Sequence, residues 1–363
     1  MRILFVLEHY YPYVGGAETL FRTLAESLVM QGHQVDVLTT RIGRDLPARE
    51  VHKGVHVRRL NCRNRFFFTF YSIPWTIRYA GRADIVHTTP YSAAFPAWLG
   101  AKIRGRKLIV TWHEVWGSLW LKLPFLNKVS ARVFYRYEQF LLRLGYDRFV
   151  AVSEATEQSL LNAGIEPGRI SHIYNGLDYT RFKDYKRQPP DQFRYVYFGR
   201  LGVSKGLDLL LPAAAKFAVD YPDSKLVLIV PRRPVRMFAK IRTRLTELKL
   251  DQSVELHHDL SDEDLYQQIS RASCVVIPSY SEGFCFVAAE AVALGVPIIS
   301  SGKTALAETV SGHYLKMEAH TIQALYDCLL QAQSGAYQWK TPRRFELKAA
   351  VASYTQLYEQ LWM

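Results

Sequence analysis

The chain has 363 residues, 49% of them hydrophobic and 22% charged, which is enough for two globular domains with full cores. Its four cysteines are scattered without metal-site spacing, and no segment has the roughly 18 uncharged apolar residues of a membrane helix. These features argue against a disulfide scaffold, a zinc site and a membrane span, and they fit a reducing cytosol. The net charge is +13 and is concentrated in residues 1–180, where 23 Lys and Arg face 14 Asp and Glu, which favours an anionic partner.

Segments with strand and helix patterns alternate along the whole chain. The N-terminal apolar run, residues 3–7, soon meets charged and polar residues, which predicts a first strand rather than a signal peptide. Leu20, Leu24 and Leu28 lie on one face of the helix that follows. Further strands are predicted at residues 34–38, 85–87, 108–111, 149–152, 195–198, 226–230, 254–257, 274–277 and 297–300. Many are continuous runs of Val, Ile and Leu, so the predicted fold class is α/β, with doubly wound parallel sheets.

A polar segment with a proline pair, residues 184–192, predicts a linker between two domains of similar size. We therefore place a first domain at residues 1–183 and a second at 184–345. Residues 346–363 end the chain with apolar side chains at helical spacing, namely Val351, Tyr354, Leu357, Tyr358 and Leu361.

Two candidate binding elements lie in the first half. Gly15 and Gly16 stand between the first strand and the first helix, where glycine lets the backbone approach a ligand and the helix N-terminus favours phosphate. His113 comes just after a strand, at the edge where open α/β sheets bind ligands. The alternatives are a simple turn, with Glu18 at the start of the helix, and a structural histidine.

The first strand of the second half runs into a loop with two cations. Two glycines let this loop, residues 198–206, turn tightly, so Arg200 and Lys205 can converge on one anionic group. A solvated turn is the alternative interpretation.

Two glutamates eight residues apart follow a later buried strand. Glu282 lies on the loop after that strand, and Glu290 lies about two helical turns further on. The start of the helix between them offers free N–H groups and a positive dipole end to a phosphate. Carboxylates beside such a position suit a ligand that carries both a diphosphate and hydroxyls, as a nucleotide sugar does. The alternative is a helix cap and a solvated helix position.

Three charged segments have less specific patterns. The acidic run 262–264 spells D-x-D, but Ser261 before it predicts the start of a helix rather than a metal site. Basic and aromatic residues are interleaved at 63–71 and again at 116–148. In the second stretch Lys128, Arg132, Arg136 and Arg143 share one side of a predicted helix, which is typical of a membrane-surface element and equally of a core-packed helix with a charged outer face.

Together these segments resemble the family 4 retaining glycosyltransferases, which have the GT-B fold of two Rossmann-like domains facing across a cleft. The resemblance covers nearly the whole chain. It is carried by Gly15–Glu18 (G-G-x-E), His113, Asn175–Asp178 (N-G-x-D), Gly199–Gly206 (G-R-L-x-x-x-K-G) and Glu282–Glu290 (E-x7-E).

The resemblance implies the roles of these residues. Arg200 and Lys205 would hold the donor diphosphate, Glu290 the ribose hydroxyls, and Glu282 the sugar hydroxyls and an oxocarbenium-like transition state. Donor contacts would come from the segment Gly283, Phe284, Cys285 and Phe286, while Gly15, Gly16 and His113 would line the sugar pocket from the N-terminal, acceptor-binding domain. The C-terminal helix would cross back to that domain.

The implied activity is transfer of a hexose from a nucleotide-diphosphate sugar to a glycan or lipid-linked acceptor, in cell-surface glycan or glycolipid biosynthesis. The resemblance implies no metal and no other cofactor, and we expect a cytoplasmic protein, peripheral on the membrane through its basic N-terminal domain. Three segments depart from the family pattern, at Pro231, at Cys285 and at Thr304–Ala305. They leave open a non-catalytic binding protein, and an epimerase or phosphorylase on the same fold is a further alternative. Charge alone suggests nucleic acid, but the sequence has no recognisable reading module, and we expect none bound.

Overall fold

The computed structural model describes residues 1–13, 15–43, 45–62, 65–122 and 127–362. Parts of both basic stretches, Arg63 and Asn64 in one and residues 123–126 in the other, lie outside the described residues. The chain forms two compact units, Met1–Gly176 with Leu347–Met363, and Leu177–Glu346.

The boundary between the units differs from the predicted one at residues 183 and 184. The backbone N–H of Leu177 donates to the carbonyl of Phe345 at 2.7 Å, and the N–H of Phe345 donates to the Tyr179 hydroxyl at 2.9 Å. Because these bonds tie residues 177–182 to the second unit, the segment 184–192 that was predicted as a linker lies inside that unit.

The first unit is a mixed sheet, mostly parallel, with helices on both faces. Its strands are β1 (Arg2–Val6), β2 (Gln34–Thr40), β3 (Arg49–His52), β4 (Val55–Leu60), β5 (Ile85–Thr88), β6 (Lys107–Trp112), β7 (Arg148–Ala151) and β8 (Ile170–His172). Its helices are α1 (Gly16–Met30), α2 (Arg65–Tyr71), α3 (Ile73–Ala80), α4 (Ala94–Arg104), α5 (Lys128–Leu142), α6 (Glu154–Asn162) and, at the C-terminus, α13 (Leu347–Trp362). Among the described residues the strand order is β3-β4-β2-β1-β5-β6-β7-β8, and only β3 and β4 pair antiparallel.

The buried side chains of this unit pack on both faces of its sheet. The central strand β1 is buried on both faces, as a parallel strand between two helix layers should be. One face packs against α1, through Leu20, Leu24 and Leu28, and against α13, through Tyr354 and Tyr358. The other face packs against residues of α3, α4 and α5.

The second unit repeats this architecture. Its strands are β9 (Arg194–Phe198), β10 (Lys225–Ile229), β11 (Val254–His257), β12 (Cys274–Ile277), β13 (Ile298–Ser300), β14 (Gly312–Lys316) and β15 (Gln338–Lys340). Its helices are α7 (Leu207–Asp220), α8 (Val235–Glu247), α9 (Asp262–Ser270), α10 (Phe286–Ala293), α11 (Leu306–Thr309) and α12 (Ile322–Gln333). The order in the described part is β11-β10-β9-β12-β13-β14-β15, with β14 and β15 antiparallel.

Both sheets confirm the predicted α/β class of doubly wound, parallel strands. In each unit the strand order changes direction beside the first strand, between β1 and β5 in one and between β9 and β12 in the other. Open α/β sheets bind ligands at the carboxyl ends of the strands at such a switch point. The loops after β1, β9 and β12 are therefore the candidate ligand-binding loops.

Candidate active site

The loop after β9 is fixed in place by the loop after β12. Gly206 has a φ of 71°, and a Cβ there would lie 2.0 Å from the carbonyl oxygen of Pro278, so only glycine fits at this position. The backbone N–H of Tyr280 donates to the carbonyl of Ser204 at 2.7 Å. The loop that carries Arg200 and Lys205 is thereby held against the loop that carries Glu282.

Lys205 and Glu282, 77 residues apart in sequence, form an ion pair at this switch point. The Nζ of Lys205 lies 2.8 Å from Oε1 and 2.9 Å from Oε2 of Glu282. The Ser279 hydroxyl donates to Oε1 of the same carboxylate at 2.7 Å. The two charged side chains are only 20% and 11% exposed, so their attraction is less screened by water than that of a surface pair.

Thr304 holds the backbone of Glu282. The N–H of Glu282 donates to the Thr304 hydroxyl at 2.8 Å, and the N–H of Ala305 donates to the Glu282 carbonyl at 3.3 Å. Thr304 has a φ of 50°, a left-handed conformation that is uncommon for a β-branched residue. Thr304 and Ala305 form one of the three segments in which the sequence departs from the pattern of the resembled family.

The segment between the two glutamates is mostly structural. The Phe284 ring is 3% exposed and packs 5.0 Å from the rings of both Phe286 and Phe345, measured between centroids. Cys285 is buried and precedes α10 with a φ of 70°. Burial raises the pKa of its thiol well above the usual value, so the thiol is a poor nucleophile. A ligand at this point would meet the backbone, namely Gly283 and the first N–H groups of α10, rather than these two side chains.

Glu290 lies two turns along α10, in surroundings different from those of Glu282. Burial is the main cause that raises the pKa of its carboxyl from 4.5 to about 7. The guanidinium of Arg181 lowers that pKa and the carboxylate of Asp262 raises it. Arg181 is itself paired with Asp262 and lies 5.5 Å from the ring centroid of Tyr266. Sequence reasoning missed Arg181, because no motif of the chain distinguishes it.

Arg200 follows the loop glycine Gly199 and is exposed. It makes no ion pair with any residue that the structure describes. Its predicted role in diphosphate binding therefore depends on a ligand bringing it and Lys205 together.

In the first unit, Gly15 is the N-cap of α1 and Gly16 is its first residue. A Cβ at Gly15 would lie 2.3 Å from Oε2 of Glu18, so the side chain of Glu18 folds back over the loop and glycine leaves room for it. The carbonyl of Gly15 accepts from the N–H of Thr19 at 2.9 Å, which is the first bond of the helix.

His113 follows β6 in the same unit and is half-buried. Its backbone carbonyl accepts from the Thr156 hydroxyl at 3.1 Å, and its ring meets that of Phe21 edge-on, 6.5 Å between centroids. Phe21 belongs to α1, so the structure brings the histidine close to the helix that Gly16 begins.

Neither a metal-binding cluster nor a membrane span is found in the described ranges. No three His, Cys, Asp or Glu side chains there lie together as a metal site requires, and no described helix is long and apolar enough to cross a bilayer. The acidic run after Ser261 is the start of α9, as predicted, because the Ser261 hydroxyl accepts from the N–H of Asp264 at 3.1 Å. Metal independence stays a prediction.

Comparisons with known proteins bear on both units. Residues 14–181 match the family model Glycosyltransferase Family 4, and residues 178–344 match Glycosyl transferases group 1. A subunit of the phosphatidylinositol N-acetylglucosaminyltransferase of Homo sapiens is 25% identical over 91% of this chain and 68% of its own length. The GDP-mannose:cellobiosyl-diphosphopolyprenol alpha-mannosyltransferase of Xanthomonas oryzae is 27% identical over 83% of this chain and 78% of its own. The structure of Anabaena HepE in complex with UDP and glucose has a TM-score of 0.76 at 18% identity, covering 99% of this chain and 100% of that one.

Proposed function

This chain belongs to the family 4 glycosyltransferases, the glycosyl transferases group 1, and on that premise we propose that it is a retaining hexosyltransferase that uses a nucleotide-diphosphate sugar. The observation that carries the proposal is the shielded Lys205–Glu282 pair at the β9–β12 switch point. It puts a cation and a carboxylate side by side next to the start of α10. A ligand that presents a diphosphate beside sugar hydroxyls matches that arrangement.

The donor would bind through the second unit. Arg200, Lys205 and the first N–H groups of α10 would stabilise the charge that develops on the leaving diphosphate, which is the task of preorganised donors and cations. Glu282 would accept hydrogen bonds from the sugar and stabilise its positive charge, and Glu290 would accept from the ribose. No metal ion is required in this scheme, because these cations and the helix dipole act on the diphosphate.

The reaction would exchange one bond for another at the anomeric carbon. The bond from that carbon to the diphosphate oxygen breaks, and its electron pair leaves with the diphosphate. The acceptor oxygen forms its bond on the same face of the sugar and gives its proton to a phosphate oxygen of the donor. The assignment of His113 and Gly16 to the sugar pocket stays a prediction from the family resemblance.

The acceptor would be a glycan or lipid-linked sugar at the membrane surface, in cell-surface glycan or glycolipid biosynthesis. Support comes from α5, which leaves Val129, Val133 and Phe140 exposed among basic side chains while Leu141 and Leu142 pack in the core. Two of the matched relatives are named for phosphatidylinositol and diphosphopolyprenol, both lipids. We therefore propose a cytoplasmic protein that binds the membrane peripherally.

The test is slow, acceptor-free release of nucleotide from a panel of UDP-, GDP- and ADP-sugars. We expect release from one nucleotide class and its loss in Glu282→Gln, with Glu263→Gln, an exposed glutamate at the start of α9, as the matched control. Arg200→Ala should lower turnover by orders of magnitude, whereas Arg242→Ala, exposed on α8, should not.

Two results would count against the proposal. Near-normal turnover in Arg200→Ala would remove the assigned diphosphate site. Tight binding of a nucleotide sugar without turnover, with and without membrane-lipid acceptors, would instead indicate a non-catalytic binding protein.

A further inference from the structure

A basic pocket lies in the first unit, between the antiparallel strands β3 and β4 and the helix α3. It has a volume of about 180 Å³ and is lined by Arg49, Trp75, Arg78, Tyr79 and Arg82. The pocket adjoins β3, the outermost strand of the sheet, and β4 and β2 lie between β3 and β1, the strand that leads to Gly16. The pocket is therefore separate from the proposed sugar site of this unit.

A fourth arginine adds to the positive charge. Arg58 is the direct cross-strand partner of Arg49, and its guanidinium lies over the ring of Trp75, 4.6 Å from the centroid. Like charges opposite each other on neighbouring strands destabilise a sheet. The Nε of Arg58 is moreover buried without a hydrogen-bond acceptor. Arg58 therefore carries a buried N–H that no group of the described residues accepts.

No carboxylate of the described residues forms an ion pair with Arg49, Arg58, Arg78 or Arg82. The acids on the adjoining segments have other partners: Glu50 pairs with Arg59, and Asp84 accepts from the N–H of Arg2 at 2.7 Å.

Two carbonyls at the end of α3 accept hydrogen bonds from arginines outside the pocket. Arg104 donates to the Ile77 carbonyl at 3.0 Å, and Arg106 donates to the Gly81 carbonyl at 3.3 Å. Three exposed guanidinium groups therefore line the pocket, and a fourth, that of Arg58, lies over the Trp75 ring beside them, all without an ion-pair partner among the described residues.

We propose that this pocket binds a phosphate group on a small organic ligand. Guanidinium groups present planar forks of N–H donors that match phosphate oxygens, and several of them on one anion are the usual form of phosphate recognition. At about 30 Å³ for each water, the pocket has room for about six waters, so it accepts more than a lone phosphate ion. The rings of Trp75 and Tyr79 would pack against the organic part of the ligand, as in a sugar phosphate or a phospholipid headgroup.

Arginine footprinting with phenylglyoxal and peptide mass spectrometry locates the bound group directly. The full-length protein would be labelled alone, with inorganic phosphate, with glucose 6-phosphate, and with phosphatidic acid or phosphatidylcholine vesicles. We expect labelling of Arg49, Arg78 and Arg82 to fall at least about fivefold with a phosphate ligand, while Arg242 on α8 is unaffected. Protection of Arg200 is scored separately, so this result is independent of the proposed donor site.

A double variant supplies the second measurement. Arg49→Gln/Arg78→Gln should weaken phosphate-ligand binding at least about tenfold by calorimetry, because each charge-assisted bond contributes to affinity. Lys240→Gln/Arg242→Gln removes the same charge from the second unit and should leave this binding unchanged. Protection by soluble phosphates identifies a free metabolite as the source, and protection by phosphatidic acid vesicles alone identifies a headgroup. Undiminished labelling with every probe, or equal loss in both double variants, would overturn the proposal.

Discussion

Thr304 positions the carboxylate of Glu282 through the backbone, and it does so from a strained conformation. A non-glycine residue at positive φ persists when the surrounding structure enforces it, and such residues cluster at functional sites. Its hydroxyl is the acceptor for the Glu282 N–H. Thr304→Val keeps the shape and removes that acceptor, so we expect turnover to fall by roughly three- to tenfold, the equivalent of one hydrogen bond.

Two further variants of Thr304 separate an effect on the position of Glu282 from an effect on the stability of the protein. Thr304→Ser retains the hydroxyl and should restore turnover, with KM for the donor close to that of the wild type. Thr304→Gly relieves the left-handed strain yet lacks the acceptor, so it should be at least as stable as the wild type but slow. Steady-state kinetics in which the valine variant matches the serine variant would show that the bond has no such role.

If Glu290 binds the donor ribose as proposed, donor binding will depend on pH in the neutral range. Its pKa is raised to about 7, so below pH 7 the folded protein holds this carboxyl mostly protonated, and only the ionised form accepts hydrogen bonds from both ribose hydroxyls. We expect donor affinity to increase as pH rises from 6 to 8. Calorimetric titration with the cognate nucleoside diphosphate over that range measures it, and Glu290→Gln should flatten the profile.

The raised pKa of Glu290 also makes the stability of the donor-free protein depend on pH, and in the opposite direction. Because the carboxyl binds its proton more tightly when folded than when unfolded, it lowers the free energy of unfolding progressively as pH rises from about 4.5 to 7. The wild type should therefore gain stability relative to Glu290→Gln as pH falls through this window. An unchanged difference in thermal midpoint between pH 5 and pH 8 would contradict the assigned pKa.

At the scale of the elements, a buried network of side-chain hydrogen bonds holds α13 against the first sheet. His87 on β5 bonds the Tyr358 hydroxyl through Nδ1 at 2.6 Å and the Thr111 hydroxyl through Nε2 at 2.8 Å, and Thr111 also bonds the Tyr354 hydroxyl at 3.2 Å. Burial lowers the pKa of His87 to about 3, so the ring is neutral at physiological pH. A neutral imidazole has one donor and one acceptor, and both are used here.

Removing one hydroxyl of this hydrogen-bond network should weaken the packing of α13 and increase its hydrogen–deuterium exchange. Tyr358→Phe leaves a ring nitrogen of His87 buried without a partner, which costs about 1–3 kcal/mol. Tyr354→Phe is the matched control, since Thr111 keeps its bond to His87 and the loss should be smaller. Hydrogen–deuterium exchange of α13 peptides measures both, and equal protection in the two variants would mean that apolar packing alone holds the helix.

At the scale of the whole molecule, continuous apolar runs were enough to predict the class of fold and its central strands. Five strands were not predicted. β15 is exposed throughout, β3 and β8 have no fully buried residue and β14 has one, which leaves little pattern to detect. β4 lies inside the sheet, but two arginines, one of them buried, interrupt its apolar pattern. The family resemblance implied that Lys205 and Glu282 belong to one site, and the structure pairs them. The resemblance did not reveal Thr304 or Arg181 as partners of the glutamates, because those contacts depend on which loops the sheet order brings together. Nor did it predict the left-handed Cys285, where propensity favours glycine.

The distribution of charge over the two units leads to a test of membrane binding. Arg132 and Arg136 are exposed on the same helix as Val129 and Val133, which are 71% and 58% exposed, so α5 offers an anionic bilayer both cations and apolar side chains. Each basic residue near such a surface contributes about 1 kcal/mol, so Arg132→Gln/Arg136→Gln should weaken binding to phosphatidylglycerol vesicles by roughly 30-fold in co-sedimentation. Lys240→Gln/Arg242→Gln makes the same change in net charge on α8 and should have little effect. If the two double variants lost binding equally, net charge rather than α5 would determine the attraction, and the proposed acceptor at the membrane surface would lose the support of α5.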